Sequence, residues 1–291
     1  MSVRSIAQPR PSSGARPGKL SQQAIIYLFA AVLVFVCAFP LLWMMSTSIK
    51  ISQEIFEWPP SIVPRTLTFE HFQSLFSRTQ FPTHFYNSVF VSFWATVVSV
   101  TLGAMAGYGL TRYRFWGRDL IANSILLTYL FPQILIFIPL YIVFRTLNLN
   151  NTHVALVISY VSFSLPFATW LLRAFFESIP LELEEAAMVD GANRFWAVVY
   201  VVLPMALPGL IATSIFTFIV AWNDFLFARI FVTSEHLKTL PVGIQDFFSM
   251  AVVDWGLIMA AGMMVTIPAL IFFVSIQSFL VKGWGAGAVK G

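Results

Sequence analysis

Charge is scarce in this 291-residue chain: Asp, Glu, Lys and Arg make up 10% of it, against about 25% in an average soluble domain. With 58% hydrophobic residues and 30 Phe, that scarcity excludes a soluble domain and a disordered chain. Cysteine is nearly absent. The single Cys37 excludes an intrachain disulfide framework, and Val34-Phe35-Val36 before it lacks the small residues of a lipoprotein attachment site. Histidine is sparse too. His71, His84, His153 and His236 form no ligand pair at helical spacing, which removes the usual metal-site pattern. There is no G-x-S-x-G nucleophile elbow. Gly14-Ala15-Arg16-Pro17-Gly18-Lys19-Leu20 is one residue short of a phosphate loop, and puts Leu20 where Ser or Thr must reach magnesium. The chain is therefore expected to be no enzyme, to bind no metal or cofactor, and to draw any work from a gradient or a partner. Its net charge of +4 is read by position in a membrane protein and does not imply nucleic acid.

What the chain has instead is long apolar runs. A membrane β-barrel alternates apolar and polar residues over about ten positions, whereas these runs are continuous. Six stretches, near 24–45, 87–110, 120–144, 153–172, 205–232 and 257–281, each suit a helix crossing a bilayer. The expected fold class is all-α: a polytopic membrane protein with six transmembrane helices. Five stretches contain no Asp, Glu, Lys or Arg; the fifth contains Asp224 and Arg229. The first is longer than the roughly 7–15-residue core of a signal peptide and no A-x-A site follows it, so it reads as a retained helix. Residues 1–23, rich in Pro, Ser, Gly and Arg, read as a flexible tail, and 282–291 as a second tail.

Orientation follows from Lys and Arg. The N-terminal tail, the 111–119 and 173–204 loops and the C-terminal tail hold eleven of them; the opposite loops hold five. Both termini are thus expected in the cytoplasm. That puts the 173–204 loop inside and the 46–86 and 233–256 loops outside. Each outer loop either docks a partner or caps the bundle.

The 173–204 loop carries the most information. Pro180 suits a helix start, and Glu182, Glu184 and Glu185 complement the dipole of the following turn. Gly191 can supply a left-handed stop. A short helix is expected from about 180 to 190, and a second from Asn193, closed at Pro204. On the first, Leu183, Ala186 and Ala187 form an apolar face with Asp190 at its edge, beside a stripe of Leu181, Glu185 and Met188. Small Ala residues let another backbone approach closely. Bilayer-surface helices favour Lys and Arg, and this one is acidic, so a protein-docking helix is the better of the two readings.

Glu185-Ala186-Ala187-x3-Gly191-x9-Val201-x-Leu203-Pro204 resembles the EAA loop of ABC importer permeases, with Val201 where Ile is usual. Asp190-Gly191-Ala192 and Pro208 resemble the family as well. Ala221-Trp222-Asn223-Asp224-Phe225-Leu226, Thr239-Leu240-Pro241-Val242-Gly243 and Gly285-Ala286-Gly287-Ala288 resemble its carbohydrate branch, of the six-span maltose-transporter type. The resemblance covers nearly the whole chain after residue 20.

It implies a type I ABC importer permease fold in a bacterial or archaeal inner membrane. It also implies a heterodimer with a second permease, two ATP-binding subunits carrying ATP and Mg, and an external solute-binding protein that delivers a carbohydrate. The residues it assigns to ATPase coupling are Glu184, Glu185, Ala186, Ala187, Asp190, Gly191, Ala192, Leu203 and Pro204. By the same analogy Glu185 pairs with a basic group of the ATPase, and the tail with Lys290 reaches toward it.

An unpaired Asp at the bilayer centre costs roughly 2.5–3.5 kcal/mol on insertion scales. Asp224, with Asn223 beside it, is therefore expected to face the bundle interior or a watery cavity. Either the two line the translocation path or its gate, or they form a capped, hydrogen-bonded pair. Gly103-x3-Gly107 permits a close helix crossing. Pro132, Pro139, Pro166 and Pro268 interrupt hydrogen bonding within spans. A polyol or glycerol-phosphate permease of the same family is an alternative, and a stand-alone secondary transporter another. The latter should show several buried acids and an internal repeat, and neither is evident.

Overall fold

In lipid every backbone N–H and C=O must be satisfied internally, so apolar runs of this length close into helices. The computed structural model describes residues 17–287. The ends of the expected tails, 1–16 and 288–291 with Lys290, lie outside those residues. Helix α1 (Pro17–Ser48) already begins within the expected N-terminal tail. It is followed by α2 (Ser52–Ile55), α3 (Glu70–Arg78), α4 (Phe81–Arg112), α5 (Arg118–Tyr129), α6 (Phe137–Thr146) and α7 (His153–Glu177). Then come α8 (Leu181–Val189), α9 (Arg194–Ala197), α10 (Leu203–Trp222), α11 (Leu226–Phe231), α12 (Leu240–Phe247) and α13 (Trp255–Gly287). Among the described residues there is one isolated β-bridge, Lys50 to Leu67.

Among the described residues, five helical segments are long and apolar enough to cross a membrane: Gln23–Ser48, Phe81–Arg112, His153–Glu177, Arg194–Trp222 and Trp255–Ser275. The expected span at 120–144 is not one continuous helix. The stretch at 120–144 is divided into α5 and α6 by an extended Pro132 and a 3-10 turn at Gln133–Ile136. Pro132 cannot donate to a preceding carbonyl, and its ring disfavours a helical Phe131, so the kink expected there becomes a full break. The helix over the stretch expected at 205–232 starts earlier and ends at Trp222.

Helices α4 and α7 run side by side in the same direction. At one end His84 and Asn87 of α4 and His153 of α7 all reach the 235–238 segment. About 30 Å further along, Gly107 of α4 lies against Thr169 and Arg173 of α7. Residues 113–152 must therefore return from one end of the bundle to the other, and α5 and α6 make that return as two half-helices. Helix α10 runs antiparallel to the pair. Its first turns pack on Leu172 and Phe176, and its last residue, Trp222, meets the edge of Phe85 at 5.6 Å between centroids. Helix α1 stands apart. It touches α13 through Met44 against Gly262, and residues 23–36 are exposed throughout.

The α4–α7 contact is the tightest helix crossing. A Cβ on Gly103 would stand 2.9 Å from the Cβ of Ala168, and one on Gly107 2.9 Å from the backbone N of Arg173. Both are below van der Waals contact, so the expected close crossing is met by backbone against backbone. Gly103→Val and Gly107→Val should each separate the helices and cost about 1–3 kcal/mol, the usual price of overpacking. Thermal unfolding in mild detergent checks this, and an unchanged midpoint in both would contradict the crossing.

Candidate functional site

At the end of the bundle where α4 and α7 finish, α8 lies across their termini. Its stop is made by Gly191, with φ of +97°. Ala192 N–H donates to Ala187 C=O at 3.0 Å and Gly191 N–H to Met188 C=O at 3.1 Å. This is the paired closure of a Schellman motif, and the positive φ is open to glycine at little cost. Asn193 restarts the chain as an N-cap, its side chain accepting from Trp196 N–H at 3.0 Å.

The second helix does not close at Pro204 as expected. It passes through a π turn, Val198–Val202, and runs on as α10 with Pro204 in its first turn. The wide turn relieves the ring's clash with the preceding turn and the loss of its N–H.

Glu185, Ala186, Asp190, Gly191 and Pro204 are exposed, while Ala187, Ala192 and Leu203 are half-buried. Leu181, Leu183 and Val189 are exposed beside them, Val189 to 87%. Glu184, grouped with these residues by sequence, turns the other way. It is 1% exposed. Its carboxylate accepts from Tyr108 Oη at 2.8 Å and is ion-paired with Arg112, whose Nη2 also donates to Ile179 C=O at 2.9 Å. Neither Tyr108 nor Arg112 stood out in the sequence. The one available signal was an Arg just after an apolar run, which reads equally well as an interfacial anchor.

At the opposite end, α10 stops at Trp222. Asn223 is exposed, and its Nδ2 donates back to Ile219 C=O at 2.9 Å. Asp224 Oδ2 accepts from Phe227 N–H and Ala228 N–H, both at 3.1 Å, and from Tyr160 Oη at 2.8 Å. Asp224 thus caps α11 and satisfies a buried phenol, which explains why the apolar run breaks there. Arg229 faces Asp246 at 3.6 Å.

The histidines, unremarkable in sequence, gather at this end. His84 and His153 donate to Glu235 C=O and Leu237 C=O, each at 3.0 Å, and Asn87 Nδ2 takes both His236 C=O and Lys238 C=O at 2.9 Å. Asn151, itself at φ of +60°, accepts from Thr233 N–H and Ser234 N–H. Burial acts to lower the pKa of Lys238, but the Asp246 and Glu235 carboxylates outweigh it, so the ammonium is held above its usual range.

In the 50–68 loop, Glu54 gathers the chain. Its carboxylate accepts from Arg65 N–H and Ser61 Oγ, both at 2.9 Å. The Arg65 N–H is the main reason its pKa lies below the usual 4.5. A carboxyl held low stabilises the fold above its unfolded pKa and loses that contribution as pH falls through the folded value. Cleavage within 52–66, normalised at each pH to an unstructured reference peptide in the same pepsin digestion, should therefore accelerate on acidification in the wild type and show no such rise in Glu54→Gln; the same normalised pH profile in both would contradict this role. Asp224→Ala removes a cap worth about 1 kcal/mol and strands the Tyr160 hydroxyl for about 1–3 kcal/mol more. Asp224→Asn should lose less, as thermal melts in detergent would report.

Among the described residues no cluster of three or more His, Cys, Asp or Glu could hold a metal ion. The family model for binding-protein-dependent transport system inner membrane components matches residues 99–285. The inner membrane ABC transporter permease YcjP of Escherichia coli K12 is 39% identical over 267 residues, spanning 91% of this chain and 95% of the relative. The trehalose/maltose transport system permease MalG of Thermococcus litoralis is 33% identical, spanning 93% and 98%. One chain in the crystal structure of a bacterial ABC transporter involved in alginate import shares the fold, with a TM-score of 0.79 over 92% of this chain and 99% of that one, at 21% identity. These relatives are transport permeases rather than enzymes. With matches along most of its length, the chain belongs to the binding-protein-dependent transport system inner membrane components, the permeases of carbohydrate-type ABC importers.

Proposed function

We propose that this chain is one of two permease subunits of an importer that takes up a carbohydrate handed over by an external solute-binding protein. Two ATP-binding subunits, holding ATP and Mg, dock on α8 from the cytoplasm. The observation that carries this reading is the outward surface of α8: acidic Glu185 and Asp190 set among exposed Leu181, Leu183, Ala186 and Val189. Apolar contacts supply adhesion there, and the two carboxylates select a basic partner. The Gly191 turn lets the chain leave this surface sharply and re-enter the bundle through α9. In this orientation both termini are cytoplasmic, and the 50–68 and 233–254 segments face the binding protein. Asn223, exposed where α10 breaks, is the side chain offered to a passing solute, and Asp224 holds that break in shape from behind.

Relatives named for trehalose/maltose transport and a like-folded transporter named for alginate support a sugar or polysaccharide as the solute class. A polyol or glycerol phosphate remains the alternative within the family. A stand-alone secondary transporter fits less well, because Asp224, the acid within the apolar runs, is engaged through Oδ2 by Tyr160 and the start of α11.

Mass spectrometry of what copurifies with the tagged chain in mild detergent tests the reading. A second permease and an ATPase are the expected companions, and a well-folded chain that emerges alone would overturn it. Glu185→Arg should abolish ATPase copurification or uncouple uptake from hydrolysis. Unchanged uptake and ATPase stimulation would remove the docking role from Glu185.

A further inference from the structure

Glu184 is the one buried side chain of α8. The helix enters from the 178–180 turn, leaves through the Gly191 turn, and packs against α9 and the 198–202 turn. Its polar tie to α4 is the Glu184 carboxylate, held from two positions one turn apart, Tyr108 and Arg112. Arg112 also grips Ile179 C=O, just before α8 begins. One guanidinium thus spans the entry to α8 and its middle. Its side chain is 6% exposed, and that of Glu184 1%.

A buried ion pair of this kind resists sliding or opening. Separating it leaves a charge unpaired in a poorly polarisable setting, which costs far more than the pair contributes when closed. The planar guanidinium with two acceptors also fixes direction, which a point charge does not.

What lies behind the pair is equally stiff. The Tyr108 ring stands edge-on to Phe176 of α7 at 5.9 Å. One residue earlier, Gly107 lies backbone to backbone against α7. At Gly103 and Gly107 the two helices touch too closely for a side chain to stand between them.

We propose that Glu184, Arg112 and Tyr108 form a transmission joint. They are positioning residues that pass a displacement of α8 to the ends of α4 and α7, which then move as one body. The exposed residues of α8 receive the push, and the buried Glu184 relays it inward. This inference rests on the reading that α8 docks on the ATPase.

The test uses the whole transporter reconstituted with its ATPase and binding protein, and reads the ratio of solute imported to ATP hydrolysed. In Glu184→Gln and Tyr108→Phe that ratio should fall about tenfold, the scale of one lost charge-assisted hydrogen bond, while the ATPase still copurifies. A purely structural role would lower yield and both activities together and leave the ratio unchanged. Arg112→Lys keeps the charge but cannot span both acceptors in the planar fork, so it should lower the ratio while the ATPase still copurifies. If Glu184→Gln does not fold, Tyr108→Phe and Arg112→Lys carry the test. An undiminished ratio in the assembled variants overturns the joint. Failure of the docking reading is separate: it appears as an ATPase that stays bound, with normal coupling, when Glu185 becomes Arg.

Discussion

The constraint on which the rest depends is that no peptide group inside a bilayer can turn to water. Where this chain leaves or bends a helix within an apolar run, the freed backbone groups are met locally. After Trp222 the Asp224 carboxylate supplies acceptors for the first free N–H groups of α11. At Pro204 a π turn takes up the missing donor without ending the helix. Only at Pro132 is the interruption wide, and there the chain divides into two short helices joined by a 3-10 turn. The broken elements of the fold are thus local solutions to one accounting problem in hydrogen bonds.

The two ends of the bundle are built differently. Where α4 and α7 finish, one buried ion pair fastens a short helix whose other face is open. Where they begin, His84, Asn87 and His153 at the helix starts donate to loop carbonyls one after another, so that 235–238 is fastened at every residue. The first arrangement concentrates the attachment in one place and the second distributes it. A concentrated attachment transmits displacement, whereas a distributed one preserves shape.

Much of this was legible in the sequence, and the reasons are physical. Apolar runs without charge located the membrane helices, and Gly103-x3-Gly107 located their tightest crossing. The Pro180, acidic-turn and Gly191 pattern placed α8 to within a residue or two. These are local signals, set by a residue's own conformational limits. The partners of Glu184 were hidden, because they lie 72 and 76 residues away and nothing near Tyr108 or Arg112 announces them. The histidines were hidden for the same reason: His84 meets its carbonyl 151 positions along the chain. The break at Asn223 was obscured by continuous apolar residues on both sides, although Asp224 is itself the capping residue that causes it.

The fastening of 235–238 bears on how molecules meet this end of the protein. Association of two proteins loses free energy whenever a loop must be ordered on contact. Here His84, Asn87, His153 and Asn151 have ordered the segment during folding, and Lys238 is fixed between Glu235 and Asp246 before any encounter. In the proposed importer, a binding protein that docks here meets a finished relief rather than a strand to be shaped, so contact carries no ordering cost for this loop.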